Sequence, residues 1–236
     1  MKNTLLVNLY AGPGAGKSTG AAYIFAKLKM AGIDCEYVSE YAKDRVWQDD
    51  QFPLKHCQLY VTGKQCLKIT RLLGKVDVIV TDSPIAIGAM YTDEKPYQDV
   101  CLYEAKKYKN TYNIFVNRFK KYNPNGRNQT EDEAKEIDTQ IRYFLTTNDI
   151  PFTEANGTED GYNQIVKDII DKLNKPKNYV YLVMEFNVNN DYITTKVCYS
   201  EKEANVLADN LMRETPGNRT HITPVDVDEI KVKELW

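Results

Sequence analysis

The chain has 236 residues, of which 42% are hydrophobic and 27% are charged, and its formal net charge at pH 7 is −2. This composition supports a sizeable core and excludes a disordered, collagenous or mini-protein class. The balanced charge argues against a globally basic protein that binds nucleic acid or membrane surfaces, although a local basic patch stays open. No apolar run approaches the ~20 residues that a membrane-spanning helix needs, so no membrane partner is expected.

The cysteines and the first residues of the chain indicate a reduced, intracellular protein. The cysteines are odd in number, are scattered and form no CxxC pair, which predicts neither a disulfide framework nor a zinc site. They are Cys35, Cys57, Cys66, Cys101 and Cys198. The start, MKNTLLVNLYAG, lacks the cleavage pattern of a signal peptide and is interpreted as a first strand, so we expect a cytoplasmic protein.

Strand-like and helical patterns alternate along most of the chain. Residues 4–10 form a β-prone run that ends at glycines, and 17–31 carry apolar residues with helical spacing up to the stop signal Gly32. The other predicted strands are 34–38, 76–82, 112–118 and 151–155, and the other predicted helices lie within 51–73, 97–109, 130–147 and 159–173. This alternation predicts an α/β fold with a doubly wound, mostly parallel sheet.

The character of the sequence changes near Pro176, where a small second domain is expected. Two β-prone runs flank an Asn189-Asn190 turn, which is a hairpin signal, and a helix and a last β-like stretch follow. The predicted domains are therefore 1–175 and a ββαβ unit over 177–236. The second range holds seven basic and ten acidic side chains, so it is not expected to attract DNA.

The sequence from Ala11 to Ser18, AGPGAGKS, matches the spacing of a Walker A phosphate-binding loop, with Ala11 in place of the usual first glycine. A predicted strand precedes it and a predicted helix follows it, as the motif requires. We expect Lys17 to reach the β- and γ-phosphates of ATP, Ser18 to ligate Mg²⁺ and Thr19 to contact the α-phosphate. The predicted ATP-binding residues are Gly12, Pro13, Gly14, Ala15, Gly16, Lys17, Ser18 and Thr19.

Asp82 ends the apolar run VIVT, which is the Walker B arrangement of an acid at the carboxyl end of a strand. A carboxylate there can hold Mg²⁺ with Ser18 or act as a base toward an incoming hydroxyl. Asp82-Ser83-Pro84 is also a good helix-capping sequence, which is the alternative interpretation.

A cationic stretch precedes an acidic one in the middle of the chain. Residues 105–130 hold seven Lys or Arg and no acid, whereas 128–160 hold nine acids. Because phosphoryl transfer needs cations that neutralise the transferring group, Arg118, Arg127 and Arg142 are candidate catalytic residues in a predicted lid over 118–142. An ordinary solvated loop is the alternative.

A third cluster follows the second predicted strand. Glu40, Tyr41 and Arg45 provide a carboxylate, an aromatic ring and a guanidinium next to the predicted phosphate crevice, and they are candidate residues for binding an acceptor. A surface helix with charge pairing competes with this interpretation.

Four segments, AGPGAGKS, EYAKDR, TDSP and NPNGRNQTEDEA, together resemble P-loop small-molecule kinases, in particular the nicotinamide-riboside-kinase-like AAA family of short phage-type ATP-binding proteins. The resemblance spans roughly residues 3–173. It implies a P-loop NTPase fold and ATP-dependent phosphorylation of a hydroxyl on a nucleoside- or nucleotide-like substrate. Asp82 would then be the catalytic acid, and the lid arginines would close on ATP.

The C-terminal ββαβ unit departs from simple nucleoside kinases and keeps two other functions open. One is a DNA kinase that phosphorylates 5-hydroxymethylpyrimidines in hypermodified phage DNA, although the total charge shows no positive groove for DNA. The other is a non-kinase ATPase or a nucleotide-dependent switch. A phage-encoded protein would work in the host cytoplasm, and the sequence leaves the oligomeric state open.

Overall fold

The computed structural model describes residues 2–119, 130–174 and 179–226. The chain divides into two compact units, Met1–Ile170 and Asp171–Trp236. Across these described ranges, no helix combines the length and the apolar character that crossing a membrane requires.

The first unit is built on a five-stranded sheet in which each neighbouring pair of strands runs parallel. The strand order is β2-β3-β1-β4-β5. The strands are β1 (Leu5–Tyr10), β2 (Cys35–Val38), β3 (Val78–Thr81), β4 (Thr111–Asn117) and β5 (Thr153–Asn156). Helices flank this sheet, so the predicted doubly wound α/β fold is confirmed.

The helices follow the strands in the predicted alternation, with one element that the sequence patterns do not reveal. A 3₁₀ helix over Ile85–Tyr91 comes directly after the end of β3. The α-helices of this part of the chain are α1 (Lys17–Met30), α2 (Tyr41–Trp47), α3 (Phe52–His56), α4 (Gln58–Thr70), α5 (Lys95–Lys106), α6 (Glu131–Thr147) and α7 (Glu159–Asn174).

Strand β1 occupies the centre of the sheet, between β3 and β4. Leu5 pairs with Val78 of β3 and Leu6 pairs with Thr111 of β4, and every residue of β1 is buried. A strand covered on both faces has to be apolar throughout, which explains the continuous run in the sequence. The chain moves from β1 toward β2 and β3 on one side and later returns to β4 on the other. The carboxyl end of β1 is therefore the topological switch point, where ligands bind in open α/β sheets.

Helix α7 packs closely against the start of α1 through Tyr162. The Tyr162 hydroxyl donates a hydrogen bond to the carbonyl of Gly16, with an O···O distance of 3.0 Å. A Cβ atom at Gly20 would lie 2.5 Å from Cε1 of the same ring, so this contact needs a glycine. The ring is buried, which leaves it little room to move aside.

The second unit contains a three-stranded antiparallel sheet and one helix. The strand order is β7-β6-β8, and the hairpin between β6 and β7 turns at Asn190, whose φ is 70°. The elements are β6 (Tyr179–Phe186), β7 (Tyr192–Cys198), α8 (Glu201–Glu214) and β8 (Arg219–Asp226). Val183, Cys198, Ala204, Ala208 and Leu211 form a buried core between the sheet and α8.

The contact at Gly20 predicts that alanine at this helical position destabilises the protein. Gly20→Ala should lower the free energy of unfolding by about 1–3 kcal/mol, because the new methyl group overpacks the Tyr162 ring. Gly63→Ala in α4 is the matched control, since nothing lies within 4 Å of its Cβ position. There the better helix propensity of alanine should raise the free energy of unfolding by about 0.5–1 kcal/mol. Denaturant unfolding of both variants measures the two changes, and stabilisation by Gly20→Ala would contradict the packing described.

Candidate functional site: a phosphate-binding loop at the end of β1

The loop from Ala11 to Gly16 connects β1 to α1 and has the backbone of an anion-binding turn. Gly14 has a φ of 80° and Gly16 has a φ of 107°, a left-handed region that side chains strongly disfavour. Helix α1 begins at Lys17 without a side-chain cap and without an acid in its first turn. Its first N–H groups and the positive end of its dipole are therefore available to an anion such as a phosphate.

The Lys17 ammonium group folds back over this loop. Its Nζ donates to the carbonyl oxygens of the loop's first two residues, at 2.5 and 3.3 Å. Burial lowers the pKa of Lys17, while the charges of Glu40, Asp82 and Asp138 act to raise it. Three carboxylates thus lie within electrostatic reach of the predicted phosphate-binding lysine.

Asp82 follows β3 directly, at the same edge of the sheet as the loop. It is 3% exposed, and its Oδ1 atom has no hydrogen-bond partner among the described residues. Burial raises the pKa of the nearby Tyr37 of β2, and the charge of Asp82 raises it further. The capping alternative is not supported, because the 3₁₀ helix that follows begins at Ile85 without a side-chain cap.

These residues fit a magnesium ion that nucleotide phosphates and water help to hold. Asp82 offers a buried carboxylate oxygen that no donor satisfies, and Ser18 would add a hydroxyl from the first turn of α1. No group of three or more His, Cys, Asp or Glu side chains suited to a metal occurs in the described part of the chain. Mg²⁺ is typically held by one or two carboxylates plus substrate phosphates, so this sparse set suits it.

Glu40 lies between β2 and α2, at the same edge of the sheet. Burial raises the pKa of its carboxyl group, the Lys17 ammonium opposes this effect, and the charge of Asp82 raises the pKa further. Glu40 therefore lies within electrostatic reach of Lys17 and Asp82.

Tyr41 and Arg45, the other two acceptor candidates, are engaged in local contacts. The hydroxyls of Tyr41 and Tyr60 lie 3.2 Å apart, and the Arg45 guanidinium lies 5.1 Å from the centre of the Tyr41 ring. Nη1 of Arg45 also pairs with Asp50 at 3.3 Å. These contacts match the charge-paired helix that the sequence left open.

Gln65 is a positioning residue that the sequence did not single out. Its Oε1 accepts from the backbone N–H of Tyr41 at 2.9 Å, and its Nε2 donates to Oγ1 of Thr81 at 3.4 Å. It is buried in α4 and joins the start of α2 to the end of β3. It therefore fixes the two chain segments that carry Glu40 and Asp82. No linear motif marks a glutamine of this kind.

The predicted cations have different surroundings. Arg118 lies directly after β4 and forms an ion pair with Asp138 of α6, with Nη2 3.0 Å from Oδ2. Arg142 donates to Oδ1 of Asn117 at 2.6 Å and to Oε1 of Glu154 at 3.1 Å. Arg127 lies outside the described residues.

Much of the predicted lid over 118–142 belongs to the folded body of the first unit. Residues from Glu131 onward form α6, whose inward face buries Ala134, Asp138, Ile141 and Leu145. Thr130 caps this helix, and the Glu133 side chain reciprocates in a capping box. The predicted helix at 130–147 is thus present as α6, and the lid over 118–142 stays a prediction, because residues 120–129 lie outside the described residues.

A family model described as an AAA domain (AAA_28) matches residues 6–160. The chain belongs to this family. It is thus a member of a P-loop NTPase family, as the loop geometry indicates. No curated protein matches the chain. One similar solved structure, titled "Crystal structure of APE1195", has 16% sequence identity and a TM-score of 0.42, and the match covers 72% of this chain and 96% of that one.

The unsatisfied oxygen of Asp82 predicts a specific defect in metal use. Asp82→Asn keeps the size of the side chain but removes the charge that would attract Mg²⁺. We expect ATP turnover to fall by ~10²-fold or more and half-maximal turnover to need more Mg²⁺. Asp77→Asn is the matched control, because Asp77 lies at the opposite end of β3 and pairs with Lys2. Titration of turnover with Mg²⁺ separates the two variants, and a loss of only a few-fold for Asp82→Asn would contradict the assignment.

Proposed function

We propose that this protein is an ATP-dependent kinase that transfers the γ-phosphoryl group to a hydroxyl of a nucleoside- or nucleotide-like acceptor. The observation that carries the proposal is Glu40, a carboxylate between β2 and α2 at the sheet edge that also carries the loop and Asp82, with a raised pKa and within electrostatic reach of Lys17 and Asp82. Asp82 and Glu40 follow different strands, so one can serve the metal while the other serves an acceptor.

In this proposal, the loop and Asp82 bind the nucleotide. The backbone N–H groups around Gly14 and Gly16 and the start of α1 hold the phosphates. The Lys17 ammonium leaves its two carbonyl partners for the β- and γ-phosphate oxygens, which are stronger acceptors because they are charged. Asp82 and Ser18 would hold Mg²⁺, which when bound supplies positive charge to the β- and γ-phosphate oxygens.

Glu40 would act on the acceptor. Its carboxylate takes the proton of the acceptor hydroxyl as that oxygen bonds to the γ-phosphorus, and the bond from phosphorus to the β–γ bridging oxygen breaks to release ADP. A raised pKa makes the carboxylate a stronger base, which favours this role. Arg118, beside the loop, provides a further cation for the transferring group.

The experiment compares ATP turnover alone with turnover in the presence of a nucleoside mixture, a nucleotide mixture or DNA that contains 5-hydroxymethylpyrimidines. A kinase should be nearly silent until its acceptor is added and should then form a phosphorylated product and ADP in equal amounts. Product from the DNA alone would replace the small-molecule acceptor with a polymeric one. Fast turnover without any acceptor, and no phosphorylated product, would favour an ATPase or a switch.

The raised pKa of Glu40 predicts the direction of a pH effect. Only the deprotonated carboxylate accepts a proton, so kcat should fall as the pH drops through a pKa above the ordinary value for glutamate. Glu40→Gln should lower kcat by ~10²-fold and abolish this acidic limb. Glu36→Gln on β2 is the matched control, since Glu36 pairs only with Lys29 at the surface in the contacts described. A profile of kcat against pH at saturating acceptor checks both variants. An unchanged acidic limb in Glu40→Gln would contradict the assignment of Glu40 as the base.

A further inference from the structure

A single buried carboxylate connects the phosphate-binding loop to the cation that follows β4. Asp138 of α6 is 6% exposed. Its Oδ1 accepts from the backbone N–H of Gly12 at 2.5 Å, and its Oδ2 accepts from Nε of Arg118 at 3.1 Å and from Nη2 of the same side chain at 3.0 Å. The two donors come from the ends of different strands, and Asp138 lies 126 residues beyond Gly12 in the chain.

Helix α6 lies directly against the loop at this point. A Cβ atom at Gly12 would be 2.7 Å from the carbonyl oxygen of Ala134, 2.7 Å from Oδ1 of Asp138 and 3.4 Å from Nη2 of Arg118. Nη2 also donates to the Ala134 carbonyl at 3.3 Å. The guanidinium is thus held by two groups of α6 that lie one turn of helix apart, and it is within contact distance of the loop.

The ion pair of Arg118 and Asp138 lies close enough to Lys17 to affect the pKa of this phosphate-binding lysine. The charge of Arg118 acts to lower the pKa of Lys17, and the charge of Asp138 acts to raise it. The side chains of Arg118 and Asp138 are each only 9% exposed, so their ion pair is poorly screened by water. Breaking one partner of a buried pair is costly, which keeps the guanidinium in one position.

We propose that Asp138 is a positioning residue for phosphoryl transfer. It fixes the Arg118 guanidinium and the Gly12 N–H with one carboxylate, so that the cation stands beside the loop before negative charge develops on the transferring group. A cation that is already in place needs no reorganisation during the reaction, which is the main source of electrostatic catalysis. The inference rests on the proposed function for the role of Arg118, and its test uses no acceptor.

The test compares two ligands in the Asp138→Asn variant. Asparagine keeps an oxygen for the Gly12 N–H but removes the charge that faces Arg118. The ligands are a non-hydrolysable ATP analogue with Mg²⁺ and ADP with Mg²⁺ and aluminium fluoride, which imitates the transferring phosphoryl group. We expect the affinity for the ADP–aluminium fluoride pair to fall by ~10-fold or more and the affinity for the ATP analogue to change by less than ~3-fold.

Glu136→Gln is the matched control. It removes one negative charge from the same helix two residues earlier, at an exposed position where the side chain contacts only Gln140 among the described hydrogen bonds. Both affinities should stay at the values of the original protein. An equal loss in both affinities for Asp138→Asn would overturn the proposal, because a merely structural residue would weaken every ligand of the loop alike.

A second set of variants tests whether Asp138 acts through Arg118. Arg118→Gln should weaken the ADP–aluminium fluoride complex, and adding Asp138→Asn to it should weaken the complex no further. Fully additive losses would contradict an action through the guanidinium. If Asp138→Asn does not fold, Arg118→Lys is the alternative variant, because it leaves Asp138 intact. A single ammonium cannot form the two-nitrogen contact, so this variant should show the same selective loss.

The outcomes separate this inference from the kinase proposal. If no acceptor is ever phosphorylated, the kinase proposal fails while the two affinities still decide the role of Asp138. If the original protein binds ADP–aluminium fluoride no better than ADP alone, the loop does not stabilise a transferring phosphoryl group, and the role of Asp138 in positioning is overturned as well.

Discussion

The partly buried ammonium group of Lys17 is the constraint on which the charges of the candidate site depend. Burial lowers the pKa of Lys17, and a cation that loses part of its hydration is tolerated only when acceptors and opposite charges surround it. Two loop carbonyls accept its hydrogen bonds, and carboxylates from three separate elements, Glu40, Asp82 and Asp138, oppose its desolvation. The same three carboxylates that stabilise the lysine also lie around the site that a nucleotide with its metal would enter.

The strand order brings these charges together. β1 lies at the centre of the sheet, so the elements after β3 and β4 reach the loop from opposite sides. Asp82 arrives directly after β3, whereas Asp138 arrives on α6 and is tied to the loop through Gly12 and to β4 through Arg118. Tyr162 of α7 also contacts the loop, because its hydroxyl donates a hydrogen bond to the carbonyl of Gly16. Glycines are required at these close approaches because a Cβ would overlap its neighbours.

Residues of the same type have different roles here because their partners differ. The Arg142 guanidinium lies 3.8 Å from the centre of the Phe115 ring and bonds to side chains of β4 and β5, so its contacts join neighbouring strands. Arg118 is paired instead with a carboxylate that also holds the phosphate-binding loop. Arg45 pairs with the nearby Asp50, and its guanidinium lies over the Tyr41 ring. Charge alone in a sequence therefore identifies candidates, and only their contacts show which arginine joins strands and which lies against the phosphate-binding loop.

The sequence by itself determined the parallel α/β fold, the phosphate-binding loop and the strand-end position of Asp82, because each depends on residues that are close together in the chain. Apolar runs, helical spacing and glycines at fixed intervals are local signals. The tertiary structure alone revealed Asp138 and Gln65, because their contacts join residues that are distant in sequence and leave no spacing to recognise. It also showed how the predicted helix at 130–147 meets the loop and β4, because the contacts of Asp138 and Arg142 join residues that are distant in sequence.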